Sequence, residues 1–214
     1  MLVFGHAGIT LAAAALLNGA VTKSYYLRIR QRNTVQDFEP PAQAASAQKH
    51  DSCGRVSWLT SLGNWIDLRL LLLGSLLPDI VDKPVGTFFF RDSFSSGRIF
   101  CHTLIFLLFI SLAGFYLYRT HRKTWPLALS FGTFTHLACD QMWRTPQTLL
   151  WPIYGWTFQK HDLSHWLLNI LWALHTDPAI YVPELVGAII LVWFVAVLVR
   201  RRKFYEFIRS GQVL

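Results

Sequence analysis

The chain has 214 residues, of which 53% are apolar and only 15% are charged. A soluble domain of this length has a larger charged fraction, so the composition favours a membrane protein. The net charge of +8 would also fit a nucleic-acid partner. However, the basic residues cluster at the ends of apolar segments, as in membrane proteins, and no nucleic acid is expected as a partner. The three cysteines show neither paired spacing nor a CxxC motif, so neither a disulfide framework nor a zinc ribbon is implied.

Five apolar segments predict membrane-spanning helices, since a bilayer core needs about 20 helical residues. The first lacks a basic leader and carries His6 where the apolar core of a signal peptide would begin, so it is predicted to be a retained helix. The five predicted helices are about Leu2–Val21, Trp58–Asp79, Ile99–Tyr118, Trp125–Trp143 and Ile180–Val199.

The remaining segments predict shorter elements. Thr148–Phe158 and Leu163–Leu174 are apolar but too short to span and interrupted by polar residues, so they are expected to lie along the membrane interface or to re-enter the membrane. Residues 33–56 are rich in Ala, Gln, Pro and Ser, which predicts a flexible cytoplasmic connector. The predicted fold class is therefore an all-α, polytopic membrane protein, forming a single domain over residues 1–214.

The basic residues also predict an orientation. Of the 20 lysines and arginines, 15 fall on one side of the predicted membrane and the others on the opposite side. The positive-inside rule then places the N-terminus outside and the C-terminus in the cytoplasm. The expected location is the inner (plasma) membrane of the cell.

On this topology, six ionisable residues from four helices fall near the outer membrane face. Taken singly, several have a structural explanation, such as an interfacial histidine or an Asp82–Lys83 ion pair. Taken together they form a nitrogen and oxygen ligand set that suits zinc, with manganese or iron as alternatives, and one or two ions. The six residues are His6, Asp79, Asp82, His102, His136 and Asp140.

A second cluster follows in "KHDLSHWLLNILWALH", which carries His161, His165 and His175. The first two have the spacing of a zinc HxxxH motif, but position 162 is Asp rather than the Glu of HExxH. The segment is either an amphipathic interfacial helix with its polar side toward water or a part that completes the outer site.

Five motifs in order, "FGHAGIT", "GSLLPDIVDKPVG", "RIFCHTLIF", "THLACDQMW" and "LLWPIYGW", resemble the LexA-binding, inner-membrane-associated family of metal-dependent hydrolases, the YdjM type. The resemblance runs from His6 to about Trp156 and implies that the six residues above hold metal. The chain departs from a common version of the family, because Asp79 and Asp82 are separated by two residues and Gly97 replaces a frequent histidine. These departures leave the number of metal ions open.

A weaker resemblance is to the ligand series of zinc-dependent phospholipase C. It implies that Asp79, His102, His136 and Asp140 hold one zinc and that the reaction is phosphoester hydrolysis. Under the same resemblance, the candidates for a second zinc are His161, His165 and His175. The later histidine-and-glutamate motif of that enzyme has no match, and the nearest acid is Glu184.

The leading functional prediction is a metal-dependent hydrolase of a phospholipid or a lipid-linked phosphoester at the outer face. Asp82 is the expected general base, and Lys83 the expected catalytic cation. Arg98 and Arg144 are expected to bind the substrate phosphate. A proton- or metal-coupled transporter and a non-catalytic scaffold with a structural metal are the alternatives. Because the predicted site faces outward, contact with LexA is not expected.

Overall fold

The computed structural model describes residues 2–17, 67–158 and 166–211, and all regular secondary structure among them is helical. The prediction of an all-α fold is therefore confirmed. Two of the helices are long and apolar enough to cross a membrane, Leu104–His121 and Pro178–Arg200. The other predicted spans correspond to shorter helices, so five membrane-spanning helices are not established. The predicted connector, residues 33–56, lies outside the described residues.

The helices are numbered here in chain order. A five-residue π-helix, Val85–Phe89, continues α2, and a 3₁₀ turn, Met142–Arg144, follows α5. The α-helices are α1 Val3–Leu17, α2 Leu68–Pro84, α3 Arg91–Phe94, α4 Leu104–His121, α5 Trp125–Cys139, α6 Pro146–Leu149, α7 Trp166–Thr176, α8 Pro178–Arg200 and α9 Phe204–Ser210.

Helix α2 continues past Pro78, where the sequence predicted an end at Asp79. Proline has no N–H to donate to the carbonyl four residues earlier, which is that of Gly74. In the fold, Thr133 Oγ1 of α5 donates to that carbonyl at 3.3 Å. The interruption inside α2 is thus compensated from the neighbouring helix, and the helix carries Asp79 and Asp82 on its last turns.

The ends of α4 and α5 also differ from the predicted ones. Helix α4 begins at Leu104 rather than Ile99, because Thr103 Oγ1 accepts the N–H of Phe106 and caps the helix. Helix α5 ends at Cys139 rather than Trp143, and Gln141 adopts the left-handed conformation with φ 52°. Both His102 and Asp140 therefore lie just outside their helices.

Close backbone contacts through glycine join the central helices. A Cβ on Gly132 of α5 would lie 2.6 Å from the backbone nitrogen of Ser75 in α2, so only glycine fits. Gly114 of α4 faces Leu127 of α5 less tightly, since a Cβ there would lie 3.2 Å from the Leu127 backbone nitrogen. Small residues at such crossings allow apolar helices to approach closely, which is typical of helix packing in membranes.

Helix α1 packs between α8 and the pair formed by α2 and α5. Gly8 of α1 contacts Gly187 of α8 backbone to backbone. The buried Glu184 side chain accepts the N–H groups of Leu2, at 2.5 Å, and Phe4, at 3.1 Å, at the start of α1. The contacts fix the beginning of α1 against α8. A buried apolar cluster fixes its other half: Leu11, Ala14, Leu68, Leu71, Phe194 and Leu198.

These contacts place opposite kinds of residue at the two ends of the helical assembly. The starts of α2 and α5 and the ends of α4 and α8 lie at one end, where Arg69 Nη1 also donates to the Ile208 carbonyl of α9. This basic end carries Arg69, Arg119, Arg122, Lys123, Arg200, Arg201, Arg202, Lys203 and Arg209. The buried histidines and aspartates lie at the opposite end.

We predict that Gly187→Ala will destabilise the protein by about 1–3 kcal/mol through overpacking. The added Cβ would lie only 2.6 Å from the Phe4 carbonyl carbon and would displace α1. Thermal unfolding of the detergent-solubilised protein measures the effect. Val186→Leu, which adds one carbon at an exposed position of the same helix, is the control and should leave the unfolding midpoint unchanged. Equal midpoints for the two variants would contradict the tight α1–α8 contact.

Candidate metal centre

The structure brings all six predicted ligand residues together at one end of the assembly. His6 comes from α1, Asp79 and Asp82 from α2, His102 from the turn before α4, and His136 and Asp140 from the end of α5. The three histidines and Asp82 are fully buried. Asp79 and Asp140 are 11% and 3% exposed at their side chains.

Two imidazoles of the cluster face each other through their Nε2 atoms. Nε2 of His102 lies 3.2 Å from Nε2 of His136. His136 Nδ1 is 2.6 Å from the Ser75 carbonyl, which can only accept, so its proton is assigned to Nδ1. His102 Nδ1 is likewise 2.7 Å from Asp82 Oδ2. The two facing Nε2 atoms then present lone pairs to each other, an arrangement that needs a positive charge, either a shared proton or a metal ion.

Two carboxylates surround this pair of nitrogens. Asp79 Oδ1 lies 3.6 Å from His102 Nε2 and 3.8 Å from His136 Nε2, and Asp140 Oδ2 lies 3.9 Å from His102 Nε2. Bonds of about 2.0–2.2 Å to a tetrahedral zinc place neighbouring ligand atoms about 3.3–3.6 Å apart. The observed separations are close to that spacing. An ion could be held by either of two overlapping triplets, His6–His136–Asp140 or Asp79–His102–His136. Because His136 Nδ1 is bonded to the Ser75 carbonyl, the shared histidine has one nitrogen left and can bind one ion at a time.

His6 supports a metal site independently. Its ring stacks on His136 with centroids 3.9 Å apart, and its Nε2 lies 3.2 Å from Asp140 Oδ1. Even so, neither ring nitrogen makes a hydrogen bond of acceptable geometry to a described residue. A buried polar atom without such a bond is costly. Coordination to a cation between His6, His136 and Asp140 would compensate that cost, so the donor set fits a divalent metal.

Asp82 binds the Nδ1 side of His102 and does not lie among the ligand atoms that surround the two Nε2 atoms. Its oxygens accept the N–H groups of Ile99, Cys101 and His102 at 2.9–3.1 Å, together with the bond from His102 Nδ1. A carboxylate that binds the far nitrogen of a ligand histidine is a common feature of metal sites, where it sets the tautomer and the ring orientation. This geometry differs from the ligand and general-base roles that the sequence predicted for Asp82.

Two cations pair with the carboxylates. Lys83 Nζ lies 2.6 Å from Asp79 Oδ2, and Arg98 Nη2 lies 2.8 Å from Asp140 Oδ2. The Lys83 side chain is 36% exposed and that of Arg98 41% exposed, far more than the groups they bind. We call Lys83 and Arg98 the cationic rim. Arg144, the other predicted phosphate ligand, is exposed on the 3₁₀ turn and belongs to neither triplet.

The electrostatics of the two groups outside the helices fit a cation site. Burial alone would raise the pKa of Asp140, but the His6 contact and the charge of Arg98 outweigh it and hold that pKa well below its usual range. Burial would lower the pKa of His102, but the carboxylates of Asp79 and Asp82 raise it above its ordinary value. Asp140 is therefore ionised, and His102 lies in a field that attracts a proton or a metal ion.

The second predicted cluster is only partly described. His161 and His165 lie outside the described residues. His175 is exposed on α7, and it belongs to neither triplet.

Ser75 is a further residue of the site that sequence reasoning missed. Its carbonyl orients His136. The only signal in the sequence is Pro78, which disturbs the bonding of the turn that contains Ser75.

Comparisons with known proteins bear on the family. No curated protein and no solved structure is significantly similar to the chain. A family model described as YdjM inner membrane protein matches residues 39–207. That range contains Asp79, His102, His136 and Asp140 but begins after α1, whereas the motif resemblance includes His6. The description mentions neither LexA nor a phospholipase, so the LexA-binding part of the resemblance and the resemblance to phospholipase C are not shown. Because the match covers most of its length, the chain belongs to the YdjM inner membrane protein family.

Proposed function

We propose that this protein is a membrane-bound, metal-dependent hydrolase that acts on a phospholipid or a lipid-linked phosphoester at the outer face of the inner membrane. One observation carries the proposal: three buried histidines and two carboxylates converge at atomic contact distances beside two partly exposed cations. Because Lys83 and Arg98 reach solvent at the edge of the cluster, they are positioned to contact an anionic substrate.

Five residues are proposed as metal ligands, and Asp82 is proposed as a positioning residue because its oxygens are occupied by backbone N–H groups and His102. Nitrogen and oxygen donors suit zinc, with manganese or iron as alternatives. A bound divalent ion of this kind supplies Lewis-acid activation of water and of a phosphoryl group. The proposed ligands are His6, Asp79, His102, His136 and Asp140.

The cationic rim is proposed to bind the phosphate group. Lys83 and Arg98 can form charge-assisted hydrogen bonds to phosphate oxygens without leaving the edge of the site. Arg144, exposed four residues after Asp140, would add a third cation. Asp82 is not assigned as the proton acceptor for the attacking water, because both of its oxygens already accept hydrogen bonds from backbone N–H groups and His102.

The surroundings of the site support a location at headgroup level. Exposed aromatic residues follow closely after the site residues in the chain, among them Phe88, Phe89 and Trp143. Aromatic side chains are enriched at membrane interfaces. Most of the basic residues that the structure describes lie at the opposite end of the assembly, and the positive-inside rule assigns that end to the cytoplasm. We therefore propose a multi-pass protein with its N-terminus and its metal site outside.

The first prediction concerns metal content. His136 belongs to both triplets, so His136→Ala should remove most of the metal that co-purifies with the wild-type protein. Elemental mass spectrometry of protein purified without chelators measures the stoichiometry. His175→Ala, an exposed histidine of neither triplet, is the control and should keep the wild-type content. Wild-type protein that carries no divalent metal would refute the hydrolase proposal.

The second prediction concerns Asp82. Asp82→Asn keeps the shape of the side chain but weakens its hold on His102, and we expect metal affinity to fall about 10–100-fold. Competition with a metal-sensitive chelating dye measures the affinity, and circular dichroism checks that the helices are retained. A folded variant with unchanged affinity would show that Asp82 does not position a metal ligand.

The third prediction concerns catalysis. The wild-type protein should release phosphorylated headgroups or free phosphate from a panel of phospholipids and lipid-linked phosphoesters, and chelation should abolish the release. Lys83→Met should lower kcat/KM about 10- to 100-fold, since it removes one hydrogen bond to a charged phosphate. Mass spectrometry of the lipid products measures the rates.

Arg91→Met is the control for that experiment, because Arg91 is an exposed cation at the start of α3 that lies outside both triplets. It should leave the rate unchanged. A folded wild-type protein that retains its metal but cleaves no member of the panel would favour a structural metal instead.

A further inference from the structure

A large cavity opens beside the metal cluster. Its volume is about 810 Å³, within the range of about 300–1,000 Å³ that is usual for small-molecule sites. It lies between the start of α1, the end of α2, and helices α7 and α8. Most of its wall is apolar, including Leu2, Phe4, Ile170, Leu174, Leu185 and Ala188.

One end of this cavity reaches the proposed catalytic site. Lys83 lines the cavity, and its Nζ lies 2.6 Å from Oδ2 of Asp79, a proposed metal ligand. Glu184 lines the same cavity, but its oxygens accept the N–H groups of Leu2 and Phe4. The wall is therefore apolar over most of its length, and its polar lining residues include Lys83, next to the metal cluster, and His175 of α7.

An amphiphile with an anionic head and an apolar chain matches this distribution. The head would reach Lys83, and the chain would cover apolar side chains such as Phe4 and Leu185, which are exposed in the protein alone. A soluble phosphate ester would use only the cationic end and would leave the apolar wall uncovered. Each CH₂ group buried in such a wall contributes about fourfold in affinity.

We propose that this cavity, the α1–α8 groove, holds a hydrocarbon chain of the substrate, with the phosphate at Lys83. The inference rests on the proposed function for the identity of the head group. It deepens that function by assigning the recognition of the chain to α1, α7 and α8, elements that carry only one of the proposed metal ligands. The substrate would enter sideways from the membrane, and the length of its chain would contribute to specificity.

The test uses a dodecylphosphonate with a photoreactive diazirine on its chain. A phosphonate has a P–C bond that a phosphoesterase does not cleave, so the probe reports binding alone. The full-length, metal-containing protein in lipid nanodiscs is irradiated with the probe, and labelled peptides are identified by mass spectrometry. We expect the label on the lining segments of α7 and α8. Alkylphosphonates should compete increasingly well as their chains lengthen from four to 12 carbons.

Matched variants decide the outcome. Ala188→Phe fills the groove and should reduce labelling of α7 and α8 at least tenfold. Ala196→Phe makes the same change at an exposed position of α8 outside the groove and should not reduce it. Lys83→Met should weaken competition by every chain length by a similar factor, because it removes the contact with the head alone.

Labelling of α4 instead of the groove would overturn the inference. Labelling that Ala188→Phe does not reduce would also overturn it, because the chain of the probe would then lie outside the groove. Absence of any label on the lining segments would also overturn it, and would indicate that another part of the protein covers the groove. Failure of the proposed function would give a different result. The protein would bind the probe in the groove but cleave no phosphoester, so the assignment of the groove would stand and the hydrolase proposal would be wrong.

Discussion

The hydrogen bond from His136 Nδ1 to the Ser75 carbonyl fixes the centre of the site. It sets the imidazole tautomer, so that Nε2 faces His102, and it joins α5 to α2 at the depth of the cluster. A carbonyl inside a helix ordinarily bonds only within that helix. Here Pro78 interrupts the bonding of the same turn, and two side chains of α5, Thr133 and His136, donate to successive carbonyls of α2. Since both metal triplets contain His136, the geometry of each depends on this one local irregularity.

The position of His6 in the cluster depends on contacts between segments that are far apart in the chain. His6 reaches the site because α1 is held against α8, through the Gly8–Gly187 contact and the bonds from Leu2 and Phe4 to Glu184, and against α5, through the hydrogen bond between the Thr10 and Thr135 hydroxyls. The α1–α8 partners are about 180 residues apart in the chain, and the family match begins after α1. The range that the family model matches thus supplies Asp79, His102, His136 and Asp140. Helix α1 adds an imidazole that stacks on His136 and approaches Asp140.

The sequence predicted the membership of the cluster better than the role of each member. The distribution of lysine and arginine between the apolar segments was enough to place His6, His136 and Asp140 at one end, because the chain reverses direction from one apolar segment to the next. It could not separate Asp79 from Asp82, since residues three apart on a helix point to neighbouring faces. The backbone N–H groups of Ile99, Cys101 and His102 decide that difference, and they belong to a turn without a periodic signal. Similarly, the end of α2 was misplaced because the compensation of Pro78 comes from another helix.

Charge balance links the metal cluster, the cationic rim and the groove. Without a metal, Lys83 and Arg98 neutralise the carboxylates of Asp79 and Asp140. A divalent cation among the same carboxylates would take over that role, and Lys83 and Arg98 would then carry uncompensated positive charge at the edge of the site. An anionic headgroup is the natural partner for that charge, and Lys83 stands where the apolar wall of the groove begins. On this argument, metal binding prepares the rim for substrate, and affinity for the phosphate should depend on whether the metal is bound.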